Sequence, residues 1–300
     1  MVRSDSDFAP RPSRRWLGPL FGAVCLLATT IGVVVLGVLI FAILAAATQG
    51  EADEGTWAFL GRLVHSLKSI DPDTAGFRGG IVGSLWLLGL VFAMAIPIGI
   101  GAAVYLEEYA PPGRLRRAVQ VNIANLAAVP SIVYGILGLA VFVRGMGMKA
   151  VLLAGGLTLG LLVLPVVVIA TQEALRTVPG SLRQAALALG ATKWQVIRDH
   201  VLPSALPGVL TGTILALSRA IGETAPLLMI GAAAGISRLP KGVFSRFTAL
   251  PVQIYNYAKE PDPKFQVVAA GGILILLAML LTMNAAAITI RNRYGRSGRG

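Results

Sequence analysis

Apolar residues run along this chain in long blocks, separated by short joints where Arg, Lys, Gly and Pro collect. From Trp16 to Gly50 no charged residue occurs. That block exceeds the about 20 residues a bilayer-crossing helix needs and the about 7–15 of a cleaved leader's apolar core. It predicts a spanning helix. Further spans are expected at about Gly80–Leu106, Ala118–Val143, Ala150–Thr171, Ser204–Ala232 and Val267–Ile290, the third being interrupted by Asn122, Asn125 and Pro130. The predicted fold is an all-α membrane protein of six transmembrane helices over residues 16–290, flanked by tails 1–15 and 291–300.

Composition agrees: 55% of residues are hydrophobic, only 13% are charged, and mean hydropathy is +0.75. The net charge of +12 is spread over the joints, which fits membrane topology and not a nucleic-acid surface. Six spans put both tails on one side. Fifteen of the 26 Lys and Arg fall on that side, in the tails, at Arg114–Arg117 and between the fourth and fifth spans; ten fall opposite. The bias predicts that both termini are cytoplasmic. Two long outer segments, Glu51–Gly79 and Ala233–Gln266, carry Trp57, Phe59, Phe244 and Tyr255 and predict short interfacial helices. They serve either as headgroup anchors or as a docking surface.

The joint between the fourth and fifth spans differs from the rest. Ser181–Pro203, SLRQAALALGATKWQVIRDHVLP, is polar and charged between two apolar runs. Ser181 with Gln184, and Thr192 with Gln195, have the spacing of capping boxes, each starting a short helix. Gly190 is placed to end the first helix in the left-handed conformation, and Pro203 to end the second. The expectation is an L of two short helices, held out for a soluble partner.

The run QAALALG, then a polar helix and LP, resembles the coupling loop of ABC importer permeases, the segment that docks on a cytoplasmic ATPase. Ala185, Ala186, Gly190, Leu202 and Pro203 carry the match, while Gln184 stands where Glu is usual and His200 where an apolar residue is common. The run LPSALPGVLTGTILALSRAIGETAPLL, together with VPSIVYG at Val129–Gly135, narrows the resemblance to the A-type permease subunits of phosphate importers, the PstA type. That resemblance implies a non-enzymatic subunit with no cofactor of its own, in the inner membrane of a bacterium. Its implied partners are a second phosphate permease (PstC type), a cytoplasmic ATPase dimer (PstB type) that holds Mg-ATP, and an extracytoplasmic phosphate-binding protein (PstS type). Gln184, Ala185, Ala186 and Gly190 then belong to the ATPase-coupling segment. Leu187, Leu189 and Trp194 are candidate anchors in the ATPase cleft, since aliphatic and aromatic side chains dominate such contacts. Packing on the permease's own helices is the alternative for those three.

Within the fifth span, Arg219 and Glu223 fall near the middle, where a charge is costly and usually functional. Arginine offers a planar fork of donors that matches a phosphate. Thr224 and Ser218 would add hydroxyls to such a substrate path. Glu223 either neutralises Arg219 at rest or takes a proton from the substrate. Base before acid at i,i+4 is the weaker intrahelical order, so both are expected to touch another helix or subunit. The alternative role is a pair that fixes subunit packing, and the two roles are compatible. Pro226 removes the donor to the Gly222 carbonyl and predicts a kink just beyond Glu223. Asn122, Asn125, Ser131 and Tyr134 lie at membrane depth and must face protein or water, as helix-to-helix bonds or as a pore lining.

Other chemistries find no support. No phosphate-cradling G-x-x-x-x-G-K-[ST] motif occurs, and GIGAAV at Gly99–Val104 lacks the dinucleotide spacing. His65 and His200 lie on opposite faces of the predicted topology, so no metal site is expected, and Cys25 has no partner for a disulfide. The capped segment has the texture of a DNA-reading helix-turn-helix but lacks a supporting three-helix core. A secondary transporter working alone would have no use for such a segment. Phosphate over another oxyanion rests on the resemblance and on Arg219.

Overall fold

A computed structural model describes residues 17–48, 55–232 and 239–297. The expected N-terminal tail lies outside those residues. The described chain is helical: α1 (Leu17–Thr48), α2 (Thr56–His65), α3 (Arg78–Val104), α4 (Arg114–Ala127), α5 (Ser131–Gly138), α6 (Leu152–Arg176), α7 (Gly180–Ala188), α8 (Lys193–Gln195), α9 (Leu202–Gly222), α10 (Ala225–Met229), α11 (Leu250–Ala258) and α12 (Pro263–Ser297). Wide π-helical turns extend α3 over Tyr105–Tyr109 and α5 over Leu139–Gly145, and a third, Val196–Val201, joins α8 to α9. Among the described residues, five helices are long and apolar enough to cross a membrane. Counting the bent pair α4 and α5 together as one span brings the number to six.

Helix α6 is the axis. Its small residues, among them Ala154, Gly155, Gly156 and Gly160, are buried and let the backbones of neighbouring helices come close, as packing in lipid requires. The main core joins Leu87 and Val91 of α3, Leu159, Val163 and Val167 of α6, and Ala216 and Ala220 of α9. Helix α1 shows its apolar side chains almost wholly to the surroundings. The expected outer helices are α2 and α11. They pack Phe59 and Leu63 against Tyr257, Phe265 and Phe77, and burial pushes the Tyr257 hydroxyl above the ordinary tyrosine range. Residues 107–117 meet 176–193 at one end through ion pairs and a cation–π contact, and Val151 pairs with Arg246 at the other.

Four local expectations are corrected. The third span is not one straight helix: α4 and α5 meet at 100° around Pro130, which has no amide hydrogen for the helical ladder and caps α5 instead. The Tyr134 hydroxyl donates to the Leu126 carbonyl at 2.8 Å, closing that bend. No box forms at Ser181: α7 begins one residue earlier behind Pro179, without a side-chain cap. Pro203 does not stop a helix either. Lys193–Gly222 is one helix of 30 residues, because the π-turn before Pro203 shifts the hydrogen-bond register and the Ser204 hydroxyl covers the His200 carbonyl at 2.7 Å. The predicted L therefore has one short arm, α7, and one long arm that continues into the bundle.

The last correction concerns the fifth span, which breaks before Pro226 instead of kinking at it. Helix α9 ends at Gly222, Glu223 is extended (φ −76°, ψ 113°), and Pro226 sits in the first turn of α10. Because proline is tolerated there but removes the donor to the Gly222 carbonyl, the ladder stops ahead of it. Helix α10 then lies on α5. A Cβ added at Gly135 would fall 2.6 Å from the Pro226 Cα, so only glycine permits this approach. Gly135→Val is expected to lower stability by about 1–3 kcal/mol through overpacking, measured as a fall in the midpoint of thermal unfolding in detergent.

Candidate functional site

Two sets of residues named from the sequence occupy opposite ends of the same helix. At the far end, Arg219 Nε lies 3.3 Å from Glu223 Oε1, the arginine side chain 42% exposed and the glutamate 17%. The pair straddles the break, so it lies at the end of α9 and not in mid-helix as expected. Helix α5, whose Tyr134 closes the α4–α5 bend, packs through Gly135 on Pro226 just past this break. Two broken helices thus meet beside the Arg219–Glu223 pair. Non-helical backbone at such a place exposes free amides and carbonyls, which is tolerated inside a membrane only beside protein or a polar cavity.

The other two candidates are placed differently. The Ser218 hydroxyl lies 2.6 Å from Asn284 Oδ1 of α12 and 2.8 Å from the Ile214 carbonyl, so it serves the α9–α12 contact. One helical turn pair away, Arg291 of α12 reaches the Thr211 hydroxyl of α9 at 3.4 Å. This seam was missed because a polar residue inside an apolar run does not announce its partner. Thr224 follows Glu223 in the break itself. Arg219 and Glu223 are brought together, Thr224 is next to them only along the chain, and Ser218 faces another helix.

At the near end stands the coupling segment. Gly190 has φ +85°, its amide donates to the Leu187 carbonyl at 3.0 Å, and the Ala191 amide donates to the Ala186 carbonyl at 3.2 Å. These two bonds form a Schellman motif, which satisfies the last carbonyls of α7. The expected box at Thr192 is present: the Thr192 amide donates to Gln195 Oε1 at 2.8 Å and the Gln195 amide to Thr192 Oγ1 at 3.4 Å. Inside the elbow, Ala186 packs with Val178, Val196 and Val201. Outside it, Leu187, Leu189 and Trp194 are 51%, 89% and 57% exposed, with Gln184 and Ala185 exposed beside them. Ala186 is thus a hinge-side packing residue, and the other named positions form an outward face.

Sequence reasoning also missed what holds this elbow. Arg183 binds Glu108 through Nη2 at 2.7 Å and donates to the Val178 and Leu175 carbonyls at 2.7 and 3.0 Å, taking over the end of α6. Glu107, one residue earlier, pairs with Arg176 at 3.0 Å and Arg116 at 3.3 Å.

An elbow with an apolar outer face is thus continuous with a long apolar helix that ends at the Arg219–Glu223 pair. The family described as "Binding-protein-dependent transport system inner membrane component" matches residues 95–293. The chain belongs to this family. Among curated relatives of this inner membrane component is the "Phosphate transport system permease protein PstA 1" of Mycobacterium tuberculosis (strain H37Rv). It is 37% identical over 233 residues, which cover 76% of this chain and 74% of the relative. The "Probable ABC transporter permease protein YqgI" of Bacillus subtilis is 34% identical over 227 residues, covering 71% and 76%. Among solved structures, a bacterial alginate ABC transporter aligns with a TM-score of 0.69 and 16% identity over 94% of this chain and 98% of that one. The MetNI methionine ABC transporter aligns at 0.57 and 21%, over 72% of this chain and 94% of its own. At those identities the structures establish the fold, an ABC importer permease fold, and the family places it in the membrane as a multi-pass component.

Proposed function

We propose that this chain is the A-type permease subunit of an ATP-driven phosphate importer, providing half of the translocation path and receiving the power stroke from a cytoplasmic ATPase. The observation that carries the reading is the unbroken helix Lys193–Gly222, which runs from the capped elbow to the residues beside Arg219. At 1.5 Å per residue it is about 45 Å long, more than the about 30 Å of a hydrocarbon core. Its first turns therefore stand outside the apolar layer, where a soluble motor can push on them. The curated relatives named for phosphate transport support the choice of substrate.

In this reading Leu187, Leu189 and Trp194 seat in the ATPase cleft, with Gln184 and Ala185 beside them. Mg-ATP is held by two copies of that ATPase and not by this chain. A second, similar permease completes the path, an extracytoplasmic phosphate-binding protein delivers the anion, and both termini face the cytoplasm of a bacterial cell. Along the path Arg219 takes the anion by its fork of donors, Glu223 holds that guanidinium when no anion is present, and Thr224 adds a hydroxyl. Ser218 supports the path through α12.

The test is ATP turnover by the complete complex in liposomes, with the binding protein inside or outside and phosphate compared against sulfate and molybdate. Phosphate-selective stimulation with uptake is expected. Stimulation by another oxyanion would move the substrate, and anion uptake by this chain without any ATPase would replace the reading by a secondary transporter.

A further inference from the structure

Three consecutive residues at the end of α3 grip four different elements. Glu107 pairs with Arg176 of α6 at 3.0 Å and with Arg116 of α4 at 3.3 Å. Glu108 takes the Arg183 guanidinium of α7 as a fork, Nη2 to Oε1 at 2.7 Å and Nε to Oε1 and Oε2 at 3.2 and 3.4 Å. Over the Tyr109 ring stands Lys193, Nζ 5.0 Å from the centroid, at the first residue of α8. The carboxylates are the enclosed members of their pairs, 15% and 10% exposed.

Their spacing explains the division. Neighbours on a helix point about 100° apart, and the π-turn Tyr105–Tyr109 widens the coil where they sit. One carboxylate can face α4 and α6 while the next faces the elbow. Both arms of the elbow, α7 through Arg183 and the long helix through Lys193, are thereby tied to one rigid point. Arg116 carries the connection onward, because α4 is the first half of the bent pair whose corner Tyr134 closes, and α5, its second half, packs through Gly135 on Pro226 just past the break that follows Arg219.

We infer that Glu107 and Glu108 are positioning residues that yoke the coupling elbow to the broken α4–α5 passage, a second mechanical route alongside the continuous helix Lys193–Gly222. The inference rests on the importer reading. A motor that pushes the elbow moves Arg183; the Glu108 fork, enclosed and charge-assisted, transmits that movement to the end of α3, and Glu107 hands it to α4 through Arg116. Without the yoke, the elbow moves with the long helix alone, so the two broken helices around Arg219 no longer move together. Spatial connection by itself is not coupling, so the decisive quantity is anion moved per ATP hydrolysed.

The experiment uses the full complex in liposomes of phosphatidylethanolamine and phosphatidylglycerol, with radiolabelled inorganic phosphate and ATP turnover measured in parallel. Glu108→Gln and Arg183→Gln are each expected to co-purify with the ATPase and to hydrolyse ATP, yet to move roughly fivefold less phosphate per ATP. Glu107→Gln is expected to lower the same ratio. Exchanging the charges, Glu108→Arg with Arg183→Glu, is expected to recover part of it, since the ion pair re-forms while the donors to the Val178 and Leu175 carbonyls are lost, and Arg183→Lys, which keeps the charge but loses the fork, is likewise expected to fall between. A loss of assembled complex with an unchanged ratio overturns the yoke and leaves a structural clamp. So does an unchanged ratio in every variant. Should the wild type respond to sulfate or molybdate instead, the phosphate reading falls, while the same ratio taken with that anion still judges the yoke.

Discussion

Arg219→Ala is expected to reduce phosphate uptake by roughly 10- to 100-fold, the equivalent of the about 1.5–3 kcal/mol carried by hydrogen bonds to a charged group. The complex should still assemble and still bind its ATPase. Two effects act together. The substitution removes the donors that would replace the anion's hydration, and it leaves Glu223, with only 17% of its side chain exposed, as an uncompensated negative charge at the break. That carboxylate repels the substrate. Glu223→Gln separates the two effects: it leaves Arg219 unneutralised at rest, so phosphate should bind more tightly and leave more slowly. Arg219→Lys keeps the charge and loses the fork, and should recover part of the uptake. Uptake of labelled phosphate and co-purification of subunits decide the matter. Normal uptake by Arg219→Ala would remove it from the path, and loss of assembly would make the pair a packing device.

How far the sequence showed this arrangement depends on the range over which each feature acts. Apolar blocks are properties of a single segment, so the first, second, fourth and sixth spans could be read with their approximate ends. The Thr192 box and the Gly190 turn are equally local, and both are present. Ser181 with Gln184 has the same local signature but fails, since Pro179 already sets where α7 begins. Pro203 fails as a stop because the helix runs on through it, as α3, α6 and α9 run on through Pro97, Pro165 and Pro207.

What acts at a distance was not readable. Glu107 and Glu108 meet residues 69 and 75 positions away, and Ser218 meets Asn284 across 66. Nothing in the local run of either glutamate marks which arginine it will find. Pro226 signalled a kink just beyond Glu223, but not that α9 would end there with Glu223 extended. The geometry of that break comes from the fit of Pro226 against Gly135, two residues 91 positions apart in sequence. The coupling face was legible as a polar capped segment; the manner in which it is fastened was not.

The elbow supplies the second large expected effect. Gly190→Leu should leave ATP hydrolysis running while phosphate uptake per ATP falls severalfold. No atom lies within 4 Å of a Cβ built at Gly190, so the leucine meets no steric obstacle; the strain comes from φ +85° alone. For an L-residue with a branched side chain that conformation costs about 1–2 kcal/mol. The chain can relieve the cost by leaving the left-handed region, but then the amides of Gly190 and Ala191 lose the Leu187 and Ala186 carbonyls and α7 swings relative to the long helix. Leu187 and Leu189 on one arm and Trp194 on the other would no longer present a single face. Gly190→Asn is the discriminating partner variant, because asparagine enters the left-handed region readily and should keep the elbow shut and the transport coupled. If the leucine variant stays as coupled as the wild type, the angle between the two arms does not govern the stroke, and the continuous helix transmits it without the hinge. If the asparagine variant uncouples as strongly as leucine, the side chain itself obstructs the ATPase cleft, and the site acts through contact and not through backbone shape.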